Sequence, residues 1–310
     1  MQIYLMLKQT FFYIIFFNLL IINELKAQFD KYLPYWQAYI QSEDFRFKID
    51  SSYTSEEVKV DIFSFHNQLG INVKGFISYP KNLKNDLPAV IYQHSGGNDK
   101  TQFLEEMLEL SQKNIVCLSL DAPKNEFNKG IAAKRNFAFI FQEGVTNIQV
   151  ALAYLLDMYK VDNQRVAFVG HSYGANVGAI LAGIEPAIKY FILMAGTPRA
   201  RQLYNSFNEN NLQKLNEQTP KERYDLWTSV LKPYDAEHFI PRTQAQILHQ
   251  FALEDEIIPL DLAEHYFQIT PEPKRAVYYN CRHQMQDYQA QQDRKAWLLE
   301  VFGLHNSQKN

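Results

Sequence analysis

Cysteine is almost missing from this 310-residue chain, and what little there is excludes two kinds of scaffold. Cys117 and Cys281 are too few for a disulfide framework and have no zinc-type spacing. Both read as small buried hydrophobes, Cys117 within a candidate strand and Cys281 near the C-terminal end of the domain. An excess of one charge is missing too. With 31 Lys and Arg against 34 Asp and Glu, the net charge is −3, and no basic run occurs, so nucleic acid is not an expected partner. There is no internal repeat and no low-complexity tract. Glycine is scarce at 12 residues, so a place where several gather among small neighbours stands out.

One long apolar run exists, and it lies at the amino terminus. Lys8 precedes Phe11 to Ile22, FFYIIFFNLLII, which only Asn18 interrupts; a short polar segment then leads to Ala27. A charged start, an apolar middle and a small residue at the cut are the layout of a secretory signal. Residues 1–27 are therefore expected to be a signal peptide, with the protein exported to the periplasm or outside the cell. A retained anchor is the alternative, because Ile3 to Leu7 lengthen the run across Lys8. Membrane contact is expected only through that segment.

The remainder, 28–310, is 283 residues of a chain that is 46% hydrophobic and 14% aromatic, enough for one large α/β domain. The aromatic stretch Phe29 to Ile40 reads as a short helix packed on that domain. Val58 to Phe65 and Ile71 to Tyr79 alternate apolar and polar residues about a turn at Asn67 to Gly70, an antiparallel hairpin at a sheet edge. Then the pattern changes to short, wholly apolar strands separated by helical periodicity. Strands are expected at Ala89 to Gln93, Ile115 to Leu120, from Val166, at Tyr190 to Met194, Ala245 to Leu253 and Arg275 to Tyr279. Helices are expected at Phe103 to Leu110, Val145 to Tyr159, after Ser172, at Leu260 to Phe267 and at Gln284 to Phe302. Apolar strands alternating with helices mean a mostly parallel sheet covered on both faces. Residues 197–242 break that rhythm: they are polar, with little β character, and suggest an inserted helical cap over the strand ends.

The glycines gather at Arg165 to Gly183, RVAFVGHSYGANVGAILAG. An apolar strand enters Gly170-His171-Ser172-Tyr173-Gly174, and a helix dotted with small residues leaves it. This is G-x-S-x-G in the strand–turn–helix setting that holds a nucleophilic serine at the tip of a strained turn. Gly170 and Gly174 remove the Cβ atoms that would collide there. Ser172 is the candidate nucleophile. A phosphate loop would need different glycine spacing and usually a lysine.

A serine hydroxyl needs a base, and an imidazole base needs a carboxylate to fix its tautomer. The strand at Ala245 to Leu253 runs into Glu254-Asp255-Glu256-Ile257-Ile258-Pro259, which makes Asp255 the candidate acid, with Glu254 and Glu256 as alternatives. The last strand runs into Asn280-Cys281-Arg282-His283, which makes His283 the candidate base. The order Ser172, Asp255, His283 is that of one fold.

These motifs, with His94-Ser95-Gly96-Gly97 after an early strand, resemble the α/β-hydrolases. More narrowly they resemble the dienelactone hydrolase and acetyl xylan esterase branch, which shades into the catalytic domain of prolyl oligopeptidases. The resemblance covers about Val58 to Phe302. It implies an α/β-hydrolase fold and two-step acyl transfer with no metal or organic cofactor. It also implies an oxyanion hole from the backbone N–H of Tyr173 and of Ser95 or Gly96. Where the family usually has His-Gly, this chain has His94-Ser95, and His94 itself reads as structural. The expected activity is hydrolysis of carboxylic esters, with a small-molecule or acylated carbohydrate ester as substrate. A serine peptidase, or a catalytically inactive binding protein on the same fold, is the alternative. The pocket walls are expected from the cap and from Pro123 to Phe141, which holds Phe127, Arg135, Phe137 and Phe139.

Overall fold

A computed structural model describes residues 47–67, 70–83, 86–123, 131–203, 222, 225, 228, 229 and 231–304, without the side chains of 131–139, 202 and 203. The expectations for the segment 1–27, for Phe29 to Ile40, for Phe127, for the side chains of Arg135, Phe137 and Phe139, and for most of 204–230 lie outside the described residues.

Nine strands form one sheet: β1 (Lys48–Ser55), β2 (Val58–His66), β3 (Asn72–Pro80), β4 (Leu87–Gln93), β5 (Val116–Leu120), β6 (Val161–His171), β7 (Tyr190–Met194), β8 (Gln246–Ala252) and β9 (Lys274–Tyr279). Their order across the sheet is β1-β2-β3-β5-β4-β6-β7-β8-β9. The first three pair antiparallel, β3 joins β5 antiparallel, and every pairing from β5 to β9 is parallel. The hairpin turn forms at the expected place, with Gly70 at φ +73° and its N–H on the Asn67 carbonyl at 2.8 Å. It is not the sheet edge, however. β1 lies outside it, and its sequence KIDSSYTS is exposed along nearly its whole length. A strand wetted on both faces carries no alternation to read.

The central parallel strands are apolar because both faces are covered, whereas the edge strand β9 is partly exposed. All seven residues of β4 and all five of β5 are buried. Helices α1 (Leu104–Ser111) and α5 (Tyr288–Val301) cover one face, where Met107, Leu110, Trp297 and Leu298 pack with Val90, Tyr92, Val169 and Ile192. A buried ion pair ties those two helices together: Arg294 Nη2 lies 2.6 Å from Glu106 Oε2, and Tyr92 Oη donates to Glu106 at 3.1 Å. Helix α3 (Tyr173–Ile184) lies close over β6, since a Cβ on Gly178 would press on the Phe168 ring. α4 (Leu260–Ile269) lies between β8 and β9 in the chain. Helix α2 (Ile131–Met158) begins 14 residues before the helical period first becomes clear at Val145. Among the described residues of the cap region, Glu222, Asp225, Thr228, Ser229 and Leu231 are α-helical, and 3₁₀ turns lie at Ala200–Leu203, Lys232–Tyr234, Ala236–His238 and Ile240–Arg242.

The chain order of the parallel strands reverses between β4 and β6. Loops at the carboxyl ends of these two strands therefore part to opposite sides, the place where ligands bind in such sheets, and the parallel β8 and β9 end at the same edge.

Candidate active site

Ser172 occupies the one residue between β6 and α3, with φ +54° and ψ −108°, a conformation that L-residues seldom adopt. The turn is tight enough to exclude side chains at its flanks. A Cβ on Gly170 would fall against the Gly174 carbonyl, and one on Gly174 against the Gln93 carbonyl. The Ser172 N–H donates to the Met194 carbonyl at 2.8 Å, which anchors the turn to β7. Although Ser172 sits at the N-cap of α3, its hydroxyl makes no capping bond. Instead Ser172 Oγ lies 2.8 Å from His283 Nε2. The positive end of α3 faces the same spot.

The candidate acid follows β8 and the candidate base follows β9. His283 is buried, and its Nδ1 lies 2.9 Å from both carboxylate oxygens of Asp255. The loop after β8 holds that carboxylate: Asp255 Oδ1 accepts the N–H groups of Ile257 at 2.9 Å and Ile258 at 2.8 Å. The two flanking acids take other places. The Glu254 N–H donates to the Cys281 carbonyl at 3.1 Å, and Glu256 accepts the backbone N–H of His283 at 3.3 Å. Of the three acids considered, Asp255 alone contacts the imidazole ring. With side-chain exposures of 4% each, the pair is shielded from water, which strengthens an electrostatic contact.

The backbone candidates for an oxyanion hole divide. Gly96 borders Tyr173 closely, since a Cβ on it would lie 3.8 Å from the Tyr173 Cβ. Ser95 is different: its N–H already donates to Gln102 Oε1 at 2.9 Å, so it is not free to receive a carbonyl oxygen. His94 braces the same loop. Its Nδ1 meets the Ser95 carbonyl at 2.6 Å, and its Nε2 accepts the Ala122 N–H at 2.7 Å, with burial holding its pKa down.

Aromatic side chains border the elbow. The Tyr173 hydroxyl donates to the Ile140 carbonyl at 2.8 Å, and the Phe141 ring lies 5.5 Å from Tyr173 and 6.4 Å from Tyr234. Elbow, α2 and cap region thus meet at Phe141, the described end of the wall expected at Pro123 to Phe141. Tyr234 lies within the cap from which pocket walls were expected, but no period singles it out there.

The sequence offers no metal-ligand spacing, yet the fold gathers Asp235, Glu237 and His238 with ligand atoms within 4.8 Å of one another. Guanidinium groups already neutralise these carboxylates. Arg201 pairs with Asp235 and with Glu237, the latter at 2.8 Å, and Arg199 pairs with Glu237 at 2.5 Å. The cluster fits a cap-region ion-pair network better than a cation site.

A model of the acetyl xylan esterase family matches residues 23–300. Comparison with curated proteins returns no match. Among solved structures, the chain is similar to an acetyl xylan esterase from Paenibacillus sp. R4, at 16% identity and a TM-score of 0.75 over 88% of this chain and 94% of that one. Acetyl Xylan Esterase 1 from Thermoanaerobacterium sp. JW/SL YS485 gives 17% and 0.72, over 88% and 93%. The Putative Dienelactone Hydrolase from Klebsiella pneumoniae subsp. pneumoniae MGH 78578 gives 15% and 0.56, over 79% and 98%. At these identities the structures share the fold, which is the expected α/β-hydrolase fold.

Proposed function

The chain belongs to the acetyl xylan esterase family and is a serine carboxylic ester hydrolase, and from that premise we propose that it removes acetyl groups from acetylated xylan or a related carbohydrate ester, using Ser172, His283 and Asp255. The observation that carries the residue assignment is the unbroken contact from Asp255 through His283, at 2.9 Å, to Ser172 Oγ, at 2.8 Å.

In this reading His283 Nε2 takes the Ser172 proton as Oγ attacks the acetyl carbonyl carbon. The carbonyl oxygen gains charge and is received by the N–H groups of Tyr173 and Gly96 at the positive end of α3. Such donors are worth roughly 2.7–4 kcal/mol each in a transition state. Collapse of the tetrahedral intermediate returns the proton from His283 to the departing sugar hydroxyl and leaves an acetyl-enzyme. Water, deprotonated by His283, then attacks that ester, and acetate leaves as Ser172 regains its proton. Asp255 keeps the Nδ1 proton in place and steadies the imidazolium formed in each half. No step calls for a metal or an organic cofactor.

We infer, too, that residues 1–27 direct export and that 197–242 cap the strand ends. The apolar run before Ala27 supports the first, and the approach of Tyr234 to Phe141 supports the second. Acetate release from acetylated xylan, set beside cleavage of a peptide p-nitroanilide, tests the substrate class. Acetate without p-nitroaniline is expected; p-nitroaniline without acetate would replace the esterase reading with a peptidase.

A further inference from the structure

One buried imidazole beside the triad has no part in that chemistry. His171, fully buried just before Ser172, has its ring centroid 5.6 Å from that of His283. Both its nitrogens are engaged. Nδ1 lies 2.9 Å from Gln102 Nε2, and Nε2 lies 2.7 Å from the backbone carbonyl oxygen of His283. Gln102, in the turn before α1, in turn accepts the Ser95 N–H on Oε1 at 2.9 Å.

With His171 neutral, these groups admit one arrangement of protons. The Ser95 N–H can only donate, so the amide oxygen of Gln102 must face it. The Gln102 NH₂ then faces His171 Nδ1, which must be bare to accept. The imidazole proton is left on Nε2, where it donates to the His283 carbonyl, which can only accept. Turning the amide over would set NH₂ against the Ser95 N–H, and moving the imidazole proton would set N–H against NH₂. Either change loses at least one buried bond. A single hydrogen-bonded chain thus runs from the loop after β4, through the elbow, to the loop after β9.

We propose that Gln102 and His171 are positioning residues for the ester hydrolysis. His171 holds the His283 backbone against the elbow, so that Nε2 keeps its distance from Ser172. Gln102 sets the tautomer of His171 and, by occupying the Ser95 N–H, leaves the Gly96 N–H to receive the carbonyl oxygen. The proposal rests on the triad reading above.

The test uses the full chain, with turnover of p-nitrophenyl acetate expressed per serine titrated by a fluorophosphonate. Gln102→Met keeps the length of the side chain and removes both bonds. Its kcat per titrated serine is expected to fall about tenfold, with KM within about twofold of wild type. A role confined to stability would lower Tm and the titratable fraction and leave turnover per titrated serine unchanged. That result overturns the proposal while leaving the triad intact. Absence of wild-type labelling at Ser172 overturns the triad and the proposal together. A second pair keeps the question open to refutation if Gln102→Met does not fold. His171→Gln retains a donor for the His283 carbonyl and His171→Leu does not, so the Gln variant is expected to turn over several-fold faster per titrated serine. Equal turnover in that pair would also overturn the proposal.

Discussion

Replacing Asp255 with Asn should be nearly as damaging as removing the nucleophile, and the surrounding loop says why. Asp255 Oδ1 accepts two backbone N–H groups, from Ile257 and Ile258, and His283 Nδ1 lies 2.9 Å from both Oδ1 and Oδ2, of which only Oδ2 has no backbone donor. The backbone donors demand an acceptor. In Asp255→Asn they therefore hold the amide oxygen at the Oδ1 position and leave the NH₂ at the Oδ2 position, pointing at Nδ1. An NH₂ there opposes an Nδ1–H, and the amide oxygen, as near to Nδ1 but already accepting two N–H groups, is a weaker acceptor than the carboxylate, so the imidazole proton is favoured on Nε2, which lies 2.8 Å from Ser172 Oγ. A base already carrying a proton on the nitrogen that faces the serine cannot take another from it. Other triads with a fixed wrong tautomer lose about 10⁴-fold in turnover, which is about 5.4 kcal/mol of transition-state stabilisation. The geometry should survive, since both backbone bonds and the shape of the side chain are kept. The assay is kcat and KM on p-nitrophenyl acetate, with ¹⁵N NMR of His283 to read the tautomer. A variant that keeps a tenth of wild-type turnover, or that shows the proton still on Nδ1, would refute this reasoning.

Gly174→Ala puts a methyl group against the Gln93 carbonyl at the start of α3, where backbone opposes backbone and nothing flexible can yield. A loss of about 1–3 kcal/mol in urea unfolding is expected, as for other overpacked sites, together with loss of turnover. Stability should also depend on pH through buried histidines. Burial lowers the pKa of His171 and of His238 to about 4 and that of His249 to about 3, against an unperturbed 6.5. Below about 6.5 the unfolded chain binds protons that the folded one does not, so this part of the stability is complete above that pH and is lost progressively toward pH 4. The urea midpoint at pH 5 should therefore lie below that at pH 7.5; an unchanged or higher midpoint would count against neutral, buried imidazoles.

Much of this architecture could be read from residue order, because the features that build it are local. β4 and β5 announce themselves as short apolar runs, and the elbow's glycines and serine lie within five residues of one another. Asp255 and His283 could be nominated for a related reason, since each follows closely on a strand and chain order supplies the rest, and the fold brings the two into contact. What stayed hidden depends on contacts between distant residues or on surfaces without a pattern. β1 is polar and wet on both faces, so no period marks it. The start of α2 runs through the cluster Phe137 to Phe141, whose aromatic content masks the helical repeat. Nothing in the sequence singles out His171, because its partners, Gln102 and His283, stand 69 and 112 residues away. The choice between Ser95 and Gly96 likewise turns on Gln102, a residue with nothing in its neighbourhood to single it out. Local chemistry was visible in the sequence, whereas the hydrogen bonds that orient it appeared only once the chain was folded.

The central claim is that Ser172 is a nucleophile activated by His283. Labelling the purified protein with a fluorophosphonate, followed by peptide mapping, addresses it most directly. The account predicts a single adduct on Ser172, lost in His283→Ala. An adduct elsewhere, or labelling of Ser172 that is undiminished without His283, would contradict it.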